Sequence, residues 1–66
     1  MTKEEKMDWE VIATGSAELL SSAATEMNLL LGKVSIFGST LDIADKIAYY
    51  AAKLKTALYE LAKEEL

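Results

Sequence analysis

Residues 40–64, TLDIADKIAYYAAKLKTALYELAKE, decide the fold class. Ile47, Leu54 and Leu61 recur every seven residues, and so do Ala44, Ala51 and Leu58. Two apolar lines at heptad spacing predict a helix with a buried seam, small at one line and large at the other. Ile43, Tyr50 and Ala57 flank the seam on one side, and Ala48 and Ala62 on the other. A stripe this broad exceeds what one facing helix covers.

Upstream, residues 3–31 carry a matching but less regular pattern. Ala13, Leu20 and Met27 share one heptad line, and Trp9, Ser16, Ala23 and Leu30 share another. Ile12, Leu19, Ala17, Ala24 and Leu31 widen it, and the small side chains among these permit close backbone approach. Thr2 with Glu5 has capping-box spacing, and acidic residues crowd the first turns, as a helix N-terminus prefers. Gly32 is expected as a left-handed C-terminal residue, and Gly15 beside Ser16 leaves open a kink in the first helix or its division in two. Ser39 with Asp42 repeats the capping-box spacing after Gly38. The expectation is one all-α domain over residues 1–66: helix 3–31, loop 32–39, helix 40–64, folded as an antiparallel hairpin. Two helices cannot cover two broad apolar faces, so the hairpin is expected to self-associate as a homodimeric four-helix bundle. Leu20, Met27, Leu30, Ile47, Ala51, Leu54, Leu58 and Leu61 are the residues expected to carry that association.

Composition narrows the function. The chain has 66 residues with no Cys, His, Pro or Arg, and hydrophobic residues make up 52% of it. That apolar content excludes a disordered chain, and ten Ala, ten Leu and the lack of Pro favour helix over strand. A chain this small usually needs a staple. Disulfides are excluded and a structural zinc is disfavoured, which leaves association as the remaining staple. The usual catalytic base and thiol nucleophile are missing. None of the five serines sits in a G-x-S-x-G turn, and Gly32-Lys33 lacks both the earlier glycine and the following Ser or Thr of a phosphate loop. A bundle di-iron site would need histidine. No catalytic, cofactor-binding or metal-binding residue is therefore expected, and the chain reads as a non-enzyme without cofactor.

Glu18 and Glu26, with several Ser and Thr, interrupt the apolar stretch from Val11 to Phe37, so no membrane span is expected. Nothing near the N-terminus reads as a secretion signal, and the lack of cysteine suits a reducing compartment; the expected location is cytoplasmic. A net charge of −4 without arginine disfavours nucleic acid. Lys46, Tyr49 and Lys53 nevertheless fall along one expected exposed line of the second helix, with Tyr59 further down its outer surface. Lysines interleaved with aromatics are what a single-stranded RNA surface shows, and also what tyrosines at a bundle rim produce. Val34, Ile36 and Phe37 are too apolar for an ordinary turn, and three readings stay open: a plug for the bundle end, a partner-binding tip, or a short β segment.

Residues 1–6, MTKEEK, followed by a long helical hairpin with small and large core residues alternating, resemble the Rop family of plasmid copy-control proteins. The resemblance covers those six residues and the architecture. It implies an antiparallel dimeric four-helix bundle that binds paired RNA hairpins through one helical face. Helix one departs from that pattern, because residues 1–32 carry two lysines against six acids. The expected function is a small adaptor or regulator acting through self-association and binding of another protein. The alternatives are a Rop-like RNA-binding regulator, or a purely structural oligomerisation module of viral or plasmid origin.

Overall fold

The computed structural model describes residues 1–32 and 37–65, the side chains of 37–39 and 65 excepted. It is an all-α helical hairpin of two 29-residue helices, α1 (Lys3–Leu31) and α2 (Phe37–Glu65), packed against each other along their length. The molecule is a rod of 49 × 14 × 13 Å, with a radius of gyration of 15.0 Å where a compact domain of this length has about 11 Å.

Local chemistry accounts for the start of α1. Thr2 is extended (φ −75°, ψ 165°), and its Oγ1 accepts the Glu5 backbone N–H at 3.1 Å. This satisfies one of the free donors of the first turn, a bond whose loss typically costs about 1 kcal/mol. Glu4 and Glu5 lie in the same turn, where the helix dipole favours negative charge. α1 then runs unbroken through Gly15, whose missing side chain leaves open space. It ends at Gly32, which is right-handed (φ −78°, ψ −4°) rather than left-handed as expected. No positive φ is needed because the Gly32 N–H donates to the Leu30 carbonyl without one.

α2 begins at Phe37, three residues before the expected start at Thr40, so Ser39 lies inside the helix and not at its cap. The helix tolerates Gly38 and Ser39 because its first turn depends least on intrinsic propensity. Val34 and Ile36 lie outside the described residues, and the side chain of Phe37 does too.

The core is thin. Among the described residues only Ser16, Ala23, Ile43 and Ala57 are buried, and no large side chain is fully covered. Around them Trp9, Ala13, Leu20, Met27 and Leu30 of α1 are half-buried, with Ile47, Tyr50, Leu54 and Leu61 of α2. Both expected lines of α1 thus face α2. On α2 the single hairpin covers one edge of the stripe. Ile43, Tyr50 and Ala57 join Ile47, Leu54 and Leu61 against α1, whereas Ala44, Ala51 and Leu58 are exposed. A single facing helix covers only one sector of a wide stripe, and α1 sits over the Ile43 side of it.

Candidate functional site

Two flanks of the rod carry apolar grooves of different chemistry. On the first, Leu20 of α1 and Ala51, Leu54, Leu58 and Ala62 of α2 line an open groove of about 430 Å³. Lys55 and Tyr59 complete its lining, with the Lys55 Nζ 5.8 Å from the Tyr59 ring centroid. Helical spacing puts Ala17 and Ala24 beside Leu20 on this flank, since each lies three or four residues from it. Both are exposed, and Leu58 is 52% exposed.

The second flank is mixed. Trp9, Ile12, Tyr49, Ala52, Lys53 and Thr56 line one groove of about 270 Å³. Glu26, Leu30, Asp42, Ile43 and Lys46 line another of about 270 Å³. The Lys53 Nζ stands 5.1 Å from the Tyr49 ring centroid, within cation–π range. Tyr49 also meets Tyr50 edge-on, with centroids 5.5 Å apart. The Thr56 hydroxyl is turned back onto its own helix, donating to the Ala52 carbonyl at 3.0 Å.

These positions sort the residues singled out from sequence. Lys46, Tyr49 and Lys53 are exposed and share the second flank, whereas Tyr59 lines the groove of the first. The four therefore do not form one surface. Of the residues expected to carry association, Met27, Leu30, Ile47 and Leu61 are half-buried along the contact between the hairpin's own helices. Leu20 and Leu54 belong both to that contact and to the first groove, and Ala51 and Leu58 face outward there. Trp9 and Ile12, beside Tyr49 and Lys53, are the members that sequence reasoning missed. Their i, i+3 spacing placed both in the α1 stripe, but nothing in one helix reveals which edge of α2 lies opposite.

A further hollow, along α1 alone, holds Glu10, Val11, Thr14, Gly15 and Glu18. Among the described residues no group of three or more ligating side chains could hold a metal, and no helix is long and apolar enough to cross a membrane. At the open end of the hairpin the Met1 amine bonds the Glu64 carboxylate at 3.1 Å. That hydrogen bond and the carboxylate's charge raise the amine pKa above its usual 8.0, against a small opposing effect of burial. No family model matches the chain, and no curated protein or solved structure matches it.

Proposed function

We propose that the chain is a small, non-enzymatic cytoplasmic adaptor or regulator that self-associates as a helix bundle and acts by binding another protein. One observation carries this reading. The accessible surface is 5090 Å², against about 4,100 Å² for a folded monomer of 7.2 kDa. Large apolar side chains are among the exposed residues, with Val11, Leu29 and Leu31 each about two-thirds exposed. Contiguous apolar surface, such as the groove lined by Leu20, Ala51, Leu54 and Leu58, marks protein contact. Chemistry has little to work with on a chain without His or Cys. The absence of Cys also suits a reducing compartment.

Sedimentation equilibrium in the micromolar range tests the reading. The expected result is a mass that is a multiple of 7.2 kDa. A well-folded monomer with a sharp thermal transition would refute it.

A second reading, an RNA-binding regulator, is favoured by one feature, the line of Lys46, Tyr49 and Lys53 on a single flank. Against it stand Glu26 and Asp42 beside Lys46, and a net charge of −4. Filter binding to mixed RNA separates the two: strong retention that falls steeply with salt belongs to the RNA reading alone.

A further inference from the structure

The two flanks are not equivalent as docking surfaces, and the difference identifies an occupant. We propose that a second copy of this chain docks on the flank of Leu20, Ala51, Leu54 and Leu58, related by a two-fold axis, and leaves the Trp9–Tyr49–Lys53 flank outside the assembly. The proposal rests on self-association as read above and adds which face carries it.

Area is the first argument. A stable two-protein contact covers about 800 Å² on each partner. The chain's 5090 Å² exceeds the roughly 4,100 Å² of a compact monomer by slightly more than that. The exposed surface is thus ample for one such contact. A two-fold contact also closes on itself, because both copies use the same patch.

Charge then selects the flank. Burying charged side chains without good partners is costly, and a two-fold contact sets a patch against its own copy. The second flank would bring Glu26, Asp42, Lys46 and Lys53 into such a contact. The first flank presents a single lysine, Lys55, among its groove residues, and a lysine at a rim keeps its ammonium in water while its stem covers apolar surface.

Shape agrees with charge. Ala17 and Ala24 on α1 and Ala51 and Ala62 on α2 are exposed methyls with little relief. Such a surface lets a facing helix approach to the short end of the usual 8–10 Å separation. Leu20, Leu54 and Leu58 supply the larger side chains that pack between them.

Ala51 and Ala52 provide the test, because these exposed neighbours line grooves on opposite flanks. In sedimentation equilibrium Ala51→Glu is expected to weaken association by at least a hundredfold, and Ala52→Glu to associate as the parent chain does. A parent chain that is itself monomeric would overturn the self-association reading. Undisturbed association of Ala51→Glu together with loss in Ala52→Glu would leave that reading standing and overturn the face assignment. In case Ala51→Glu fails to fold, a gentler pair gives a second measurement, since the chain has no cysteine of its own. The thiol of Ala51→Cys should react at least tenfold more slowly with a bulky maleimide as chain concentration rises through the association range. The thiol of Ala52→Cys should react at one rate throughout. Protection of the Ala52→Cys thiol instead, or of neither, refutes the proposal.

Discussion

Ala57 is the most completely covered residue described, at 0% exposure, and it sits on the line of α2 that presses against α1. Ala57→Leu would add three carbon atoms where the native methyl already has no free surface. The helices would have to separate locally, or neighbouring side chains leave their preferred rotamers, and overpacking of this kind costs about 1–3 kcal/mol. A domain of 66 residues has roughly 0.05–0.15 kcal/mol of stability per residue, or about 3–10 kcal/mol in all. The substitution therefore removes a large share of the total. Urea denaturation followed by circular dichroism, at one fixed chain concentration, reads the effect directly. With a denaturant slope of about 1 kcal/mol/M the midpoint should fall by about 1–3 M. Ala52→Leu, on the exposed side of the same helix, should stay within about 0.5 kcal/mol of the parent. An Ala57→Leu chain as stable as the parent would mean that α1 does not lie over this line of α2, and the division into two flanks would be refuted with it.

Two further outcomes follow from local features. Gly15 lies within continuous α1 with open space where a methyl would go, so Gly15→Ala should stabilise the chain by about 0.5–1 kcal/mol, read as a raised midpoint in the same urea titration. The Met1 amine has a folded pKa raised above 8.0 by Glu64, so its contribution is fully present below pH 8.0 and is lost as pH rises through the raised value. Thermal melts of the 66-residue chain across that alkaline window should show a falling midpoint, and Glu64→Gln should flatten the slope; equal slopes in both chains would refute the clasp.

Much of this architecture was legible in the spacing of apolar residues. Ala13, Leu20 and Met27, with Trp9, Ser16, Ala23 and Leu30, are all covered by the structure, wholly or in part. Ile47, Leu54 and Leu61 behave likewise on α2. The choice between Ile43–Tyr50–Ala57 and Ala44–Ala51–Leu58 as their companion line was not legible. Both lines are apolar at the same period, and periodicity fixes a stripe without fixing which edge of it meets the neighbouring helix. The start of α2 was misplaced for a related reason, since Gly38 and Ser39 are strong turn residues that a helix also accepts in its first turn. The separation of Tyr59 from Tyr49 and Lys53 needed the position of α1, because only the facing helix divides the outer surface of α2 into flanks.

The small residues that permit the helices to close also limit what closing achieves. Among the described residues, three of the four buried positions are Ala or Ser, and Ile43 is the one large side chain. Little apolar area leaves water at an alanine contact, so the seam brings the backbones together without supplying much of the free energy that usually holds a domain. A further apolar groove is aligned on the flank of Leu20, Ala51, Leu54 and Leu58. Leu20 and Leu54 are common to that flank and to the hairpin contact, being half-covered by the neighbouring helix and half-open to the groove. A second copy seated there would complete the burial of the same side chains that hold α1 against α2. Under the proposed docking, folding of the hairpin and docking of its copy would be one linked equilibrium, in which each chain's stability depends on the concentration of the other. On the proposed docking, the second flank, with Trp9, Tyr49 and Lys53, would lie outside that linkage, and a partner bound there would not need to unfold the pair.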